Sequence, residues 1–346
     1  MSPPAAHKSV EIWLWSLLGL LFAMILLGGV TRLTHSGLSI VEWKPLMGAI
    51  PPLNETDWQT LFQRYQAFPE YQQINSSMTL EGFRGIFYLE YFHRLLGRLI
   101  GLVFLGPLLY FSFKKILSTQ VQFKLWGIFC LGGLQGAMGW YMVKSGLVDL
   151  PRVSPYRLTA HLLLALLILA LLLRQCFLSR YPQTPLKLHP FAKSVLGLLV
   201  LMIALGGFVA GNKAGWAFNT FPLMNGHWIP ADLYALRPLW RDFCENLATV
   251  QFHHRLLGWL LLGLLPAYGF WLGRQAPTLL RMGWALASLT LLQFSLGVLT
   301  LLYKVPVHLG AAHQGGAVLL LGLTLWISMQ HSRHSELKFA KTEEKP

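Results

Sequence analysis

Eight stretches of the chain are apolar over nearly the length a bilayer demands: roughly 13–30, 87–113, 123–143, 157–174, 192–210, 250–272, 280–302 and 308–329. A membrane-spanning helix needs about 20 predominantly apolar residues. No water reaches a spanning backbone, and a helix satisfies its own amide groups. The expected fold class is therefore an all-α polytopic membrane protein with eight transmembrane helices. Composition agrees, at 54% hydrophobic and 12% charged residues. A soluble chain of 346 residues could not hide that much apolar surface.

Charge supplies the orientation. The net charge of +14 is compatible with nucleic-acid binding, but its distribution argues against it. Segments 113–124, 174–193 and 273–282 hold nine Lys or Arg and no Asp or Glu, while the intervening segments hold ten of the fourteen acids. Short basic loops stay on the cytoplasmic side. Both termini are then expected in the cytoplasm and the long loop 31–86 outside. No nucleic-acid partner is expected; the surroundings are membrane lipid. Twelve residues precede the first span and no small-residue cleavage site follows it, so it reads as a retained helix rather than a signal peptide. There is also no room for a transit peptide, which points to a bacterial plasma (inner) membrane. Cys130, Cys176 and Cys244 are too scattered to indicate a disulfide or a thiolate metal site.

The chain repeats itself. "HRLLG" stands at 93–97 and again at 254–258. "LQGAMG" (134–139) parallels "LQFSLG" (292–297), "LTAHLLLALL" (158–167) parallels "LGAAHQGGAV" (309–318), and a "GG" pair occurs at 28–29 and at 206–207. Spans 1–4 and 5–8 thus read as two copies of one four-helix unit, related by an axis along the membrane normal. The expected domains are 1–180, carrying the outer loop 31–86, and 181–346. Glycine-rich patches at 131–139 and 315–322 are expected to bring helices close together.

The repeat pairs His93 with His254 and His161 with His313. Each lies near the start of an even-numbered span, so all four are expected at one depth near the outer face, two per bundle. Two imidazoles on facing helices can serve as axial ligands of a heme iron. Single histidines in such helices are often hydrogen-bonded interior residues, and a proton relay is a further reading. A shared zinc or copper site is disfavoured, because its ligands would have to converge from two bundles. His253 aligns with Phe92, which leaves His254 as the repeat's histidine. His308 points elsewhere or sits at the interface, and His331 and His334 fall in terminal or loop segments. Arg94 and Arg255 follow the first histidine of each pair. They either snorkel to headgroups or pair with carboxylates such as heme propionates.

Three residues before that histidine the copies differ: Glu90 in the first half, Gln251 in the second. Glu90 could be an acid favoured by the dipole of a helix's first turn. It could also handle protons at a reacting carbon. On the second reading the first half holds a substrate and the second a permanent cofactor.

Several blocks carry a family resemblance: "GGVTRLTHSGLSIVEWKPLMGAIPPL" (28–53), "FPEYQQIN" (68–75), "MTLEGFRGIFYLEYFHR" (78–94), "FNTFPLMNG" (218–226) and "ENLATVQFHHR" (245–255). With these, nearly the whole chain resembles the heme A synthase family of mitochondria and proteobacteria. The resemblance implies oxidation of a ring methyl group of heme O to a formyl group, through hydroxylated intermediates and with water as oxygen source. It implies that His254 and His313 ligate a heme b cofactor, with Arg255 beside it. His93 and His161 would bracket the substrate heme iron, with Arg94 beside it and Glu90 near the methyl group. Heme O synthase would supply the substrate, and terminal oxidases of the cytochrome c oxidase type would use the product. The electron acceptor is unidentified. Homo-oligomerisation would suit an enzyme that receives an insoluble heme, although no motif encodes it. Some members of the family carry a cysteine pair in the first outer loop, and 31–86 has none. A permanent two-heme cytochrome b with a quinone partner, or a heme carrier without chemistry, would share the histidine pairs. In loop 31–86, Trp43, Trp58, Tyr65 and Tyr71 suit the membrane interface.

Overall fold

The computed structural model describes residues 4–42, 47–148, 151–182, 184 and 186–343. Trp43 lies outside them. Eleven α-helices are present in this range: α1 (Pro4–Leu33), α2 (Glu55–Gln66), α3 (Pro69–Gln73), α4 (Leu80–Phe113), α5 (Thr119–Lys144), α6 (Pro155–Arg180), α7 (Pro190–Gly211), α8 (Leu239–Glu245), α9 (Leu247–Gln275), α10 (Leu280–Leu302) and α11 (Val307–Glu343). Eight of them, α1, α4–α7 and α9–α11, have 22 residues or more and coincide with the eight expected spans. Seven are long and apolar enough to cross a membrane. The eighth, α5, reaches 26 residues, but its glycines and several polar groups dilute its apolar content. The protein is an all-helical, multi-pass membrane protein.

Several helices outrun the apolar stretches that announced them. Helix α11 continues past 329 to Glu343, so His331 and His334 are helical rather than in a terminal coil. Helix α4 begins at Leu80, where the Thr79 hydroxyl caps the Gly82 N–H. Glu90 is therefore the eleventh residue of α4, beyond the reach of the dipole at its first turn.

The described chain forms two compact units, Gly19–Ile168 and Met1–Leu18 with Leu169–Pro346. In the second of these, α7 packs on α9, α9 on α10, α10 on α11 and α11 on α7, which closes a ring of four helices. Helices α9 and α10 meet there glycine on glycine, backbone against backbone. A β-carbon on Gly283 would stand 2.6 Å from the Gly269 carbonyl oxygen. In the unit Gly19–Ile168, α4 packs on α5 and α2. The glycine patch at 131–139 does not bring helices together as expected: β-carbons at Gly132, Gly133 and Gly136 would meet nothing within 4 Å. Only Gly139 meets a neighbour, and that neighbour is His161.

The segment between α1 and α4 has its own core. Asn54 caps α2 through the Asp57 N–H at 2.9 Å. The apolar face of α2 then lies on the exposed start of α4, burying Trp58, Tyr65, Phe83, Phe87 and Tyr91 together. Trp58 and Phe87 meet edge to face at 5.0 Å, and Tyr65 stacks on Phe83 at 5.1 Å. Trp58 and Tyr65 are thus core residues rather than interface anchors, because their partners lie on α4 and not in lipid. Tyr71 packs against the same cluster, half-buried. The Tyr65 hydroxyl donates to Glu70 (3.1 Å) and accepts from Asn75 (2.8 Å). Burial pushes this hydroxyl's pKa above its ordinary range.

Candidate functional site

Helical register turns each histidine of the repeat toward a neighbouring helix, and a glycine meets each one there. A β-carbon at Gly28 on α1 would stand 3.0 Å from His93 Nε2. At Gly139 on α5 it would be 3.2 Å from His161 Cε1, at Gly206 on α7 3.2 Å from His254 Cε1, and at Gly297 on α10 2.7 Å from His313 Cε1. These are cradles that a methyl group would fill.

In the second half, His254 and His313 face each other with ring centres 6.4 Å apart and planes at 82°. Two nitrogen–metal bonds of about 2 Å each, plus about 1 Å from nitrogen to ring centre, would separate the centres by about 6 Å. A metal shared between the two rings fits that spacing. His254 interacts with the backbone of Met202, yet its Nδ1 makes no well-formed hydrogen bond among the described residues. In the first half, His93 and His161 lie within electrostatic range of each other. His253 is turned away from His254: its Nδ1 meets the Thr249 carbonyl at 2.8 Å and its Nε2 the Tyr234 hydroxyl at 3.1 Å. His308 is exposed.

One turn before each first histidine lies a clamp. Glu90 is 2% exposed. One of its carboxylate oxygens accepts from the Ser39 hydroxyl (2.7 Å) and the Ile40 N–H (2.8 Å). The other accepts from Arg94 Nη2 (2.6 Å) and Nε (3.0 Å). Arg94 Nη2 also donates to the Ile40 carbonyl at 2.9 Å. In the second half Gln251 occupies the same place. Its amide donates to the Ala214 carbonyl and its oxygen accepts from Arg255 Nη2, both at 2.8 Å. Arg255 Nη2 also donates to the Phe218 carbonyl at 2.8 Å. Glu90 and Gln251 therefore serve the same structural purpose. Each ties an arginine four residues on, and the loop after the preceding span, to its helix. Both arginines are engaged with protein groups rather than snorkelling. Beside Arg94 is a cavity of about 250 Å3, lined by Ile40, Glu42, Arg94, Trp140 and Lys144 among others. That is below the roughly 300–1,000 Å3 of a small-molecule pocket, and its lining sets two cations, Arg94 and Lys144, beside one carboxylate, Glu42.

Two functional candidates are not evident from the sequence alone. Gln135 donates to the ring and to the carbonyl of His161, and Gln293 does the same to His313. Their signal is the repeated L-Q-x-x-x-G, whose glutamine and glycine bracket one imidazole. Ser39 gives no signal, because its partner Glu90 is 51 residues away.

The fold and these side chains define a class: polytopic helical membrane proteins with histidines set inside their spans, two of which face each other across a ring of four helices. Residues 11–325 match the family described as cytochrome oxidase assembly protein (COX15-CtaA), and the chain belongs to that family. It is 50% identical over 342 residues to the heme A synthase of Nitrosospira multiformis, covering 95% of each chain. It is 49% identical over 333 residues to the heme A synthase of Nitrosomonas eutropha, covering 93% of each. With the heme A synthase of Azorhizobium caulinodans the identity is 45% over 327 residues, covering 92% of this chain and 94% of that one.

Proposed function

We propose that the protein is a heme A synthase of a bacterial inner membrane. It oxidises a ring methyl group of heme O to a formyl group, by way of hydroxylated intermediates, for terminal oxidases of the cytochrome c oxidase type. Water supplies the oxygen, and electrons and protons leave in equal number. The observation that carries the reading is the facing of His254 and His313 at 6.4 Å in a chain of this family.

In this reading residues 181–346 hold the resident cofactor and residues 1–180 the substrate, both near the outer face. His254 and His313 hold heme b, which supplies a one-electron relay when bound. Their ring nitrogens, with each imidazole seated against a glycine of a neighbouring helix, suit a metal held in a flat group. His93 and His161 hold the iron of heme O. Arg94, Arg255 and Lys144 offer cations to propionates at the loop ends of the helices. Glu90 is placed one helical turn from His93 to accept a proton from the reacting carbon or its water. To do so it must give up one of its hydrogen bonds to Ser39, Ile40 or Arg94. Because Gln251 makes the equivalent clamp, Glu90's distinction is its charge and not its position. Heme O synthase is the upstream partner, and the electron acceptor is a separate component.

Co-expression with a heme O synthase in a host that lacks heme A tests this, with chromatography of the extracted hemes. Heme A or its hydroxylated precursor is expected. Neither appearing, with the protein folded and carrying heme b, would leave a cytochrome or carrier as the function.

A further inference from the structure

The two glutamines stand at equivalent places, yet they address opposite ring nitrogens. Gln293 Nε2 reaches Nδ1 of His313 at 3.1 Å and the His313 carbonyl at 2.8 Å. Gln135 Nε2 reaches Nε2 of His161 at 3.4 Å and the His161 carbonyl at 3.1 Å. Among the described residues the Oε1 atoms of both glutamines, and Nδ1 of His161, are buried without a hydrogen-bond partner. The space for Gln293 is reserved by glycine, since a β-carbon on Gly316 would collide with its Oε1. An orphaned amide oxygen beside an imidazole is costly, so a role beyond packing is called for.

We infer that Gln135 and Gln293 are positioning residues of opposite sense, one keeping its site releasable and the other keeping its site filled. This rests on the two-heme reading above. With Gln293 at Nδ1 of His313, Nε2 is the nitrogen left to face a metal, which it does once the ring proton sits on Nδ1 and the Gln293 amide turns, giving up its hydrogen bond to the His313 carbonyl. Ligation through Nε2 leaves the ring proton on Nδ1, and the orphaned Oε1 of Gln293 is within a turn of the amide of accepting it. Such an acceptor makes the ligand more basic and fixes the ring. At His161 the amide N–H of Gln135 covers Nε2 itself. Gln135 must leave that nitrogen, or the ring must turn, before His161 can ligate. That competition suits a site that takes in one heme and gives up another, and it would weaken a permanent one.

The test uses the purified full-length protein carrying heme b. Gln293→Leu is expected to lose heme b to apomyoglobin about tenfold faster or more, with its midpoint potential moved upward. Gln293→Glu, which keeps an acceptor, should restore retention. Gln135→Leu is expected to leave the heme b loss rate unchanged while binding added heme O about tenfold more tightly. If Gln293→Leu does not accumulate, Gln293→Asn replaces it, because the shortened side chain withdraws the amide from the ring. Residues that merely packed would loosen both sites. Heme b retention and potential unchanged in Gln293→Leu or its replacement Gln293→Asn, or weaker heme O binding in Gln135→Leu, would overturn the inference. His313→Ala separates the levels. If it keeps the full low-spin heme b spectrum, the two-heme reading is wrong. If it loses that spectrum while the glutamine variants behave as the parent, only the positioning roles fall.

Discussion

Glu90 carries two claims that a single atom-for-atom change can separate. As an anchor it holds Ser39, Ile40 and Arg94; as a chemical group it would handle a proton. Gln251 demonstrates that an amide at this position holds an arginine. Glu90→Gln should therefore fold, losing about 1–2 kcal/mol in thermal unfolding and keeping heme b, while heme A disappears from the extract. Full product formation in that variant would reduce Glu90 to an anchor. Glu90→Leu should be far worse, at about 3–5 kcal/mol, because it leaves the Arg94 guanidinium among groups arranged for a pair. Asp242 is another buried acid, outside the spans. Burial acts to raise its pKa, but hydrogen bonds from the Thr249 hydroxyl, the Leu236 N–H and the Asn246 amide outweigh burial and hold it below the usual carboxylate range. A folded-state pKa below the unfolded value of about 3.9 stabilises the fold above that pH, and the stabilisation fades as pH falls through the folded value. Asp242→Asn should thus melt earlier than the parent at pH 7, with the gap narrowing in acid.

At the scale of elements, the outer-loop helices stand or fall with their aromatic cluster. Trp58→Ala should cost about 3–5 kcal/mol locally. Amide exchange should speed up over 55–66 and 80–91 while the heme b band in the other unit persists. A loss of protection across the whole chain would mean that the loop is integral to the bundles. The same cluster marks the limit of what is legible in the sequence. The long spans are plain, because unbroken apolar runs admit one solution in a bilayer. The histidines are plain because they are duplicated. Helix α2 is not, although Asn54 caps it and Trp58, Leu61, Phe62 and Tyr65 recur at helical spacing. Aromatic residues next to a span look alike whether they meet headgroups or one another. The far arms of the clamps are beyond reach for another reason: Glu90 with Ser39 and Ile40, and Gln251 with Ala214, join residues on different elements, and no local pattern records such a pairing.

For the whole molecule, the charge asymmetry predicts sidedness. The turn after α4 carries Lys114 and Lys115, the latter with φ of 54°. Trypsin should cut there in inverted membrane vesicles and spare it in intact spheroplasts; cleavage from the outside would reverse the assigned orientation. The glycines opposite the histidines have a consequence at the same scale. Each occupies a helix other than its histidine's, within the same compact unit. One methyl group can therefore act as a plug for one binding site without altering any residue of the other. Gly297→Ala, at the tightest of the four contacts, would leave a protein able to load only its first half, and Gly139→Ala one handicapped only there. A pair of such plugged proteins, mixed in one membrane, would reveal whether electrons must pass between the halves of a single chain or can cross between chains.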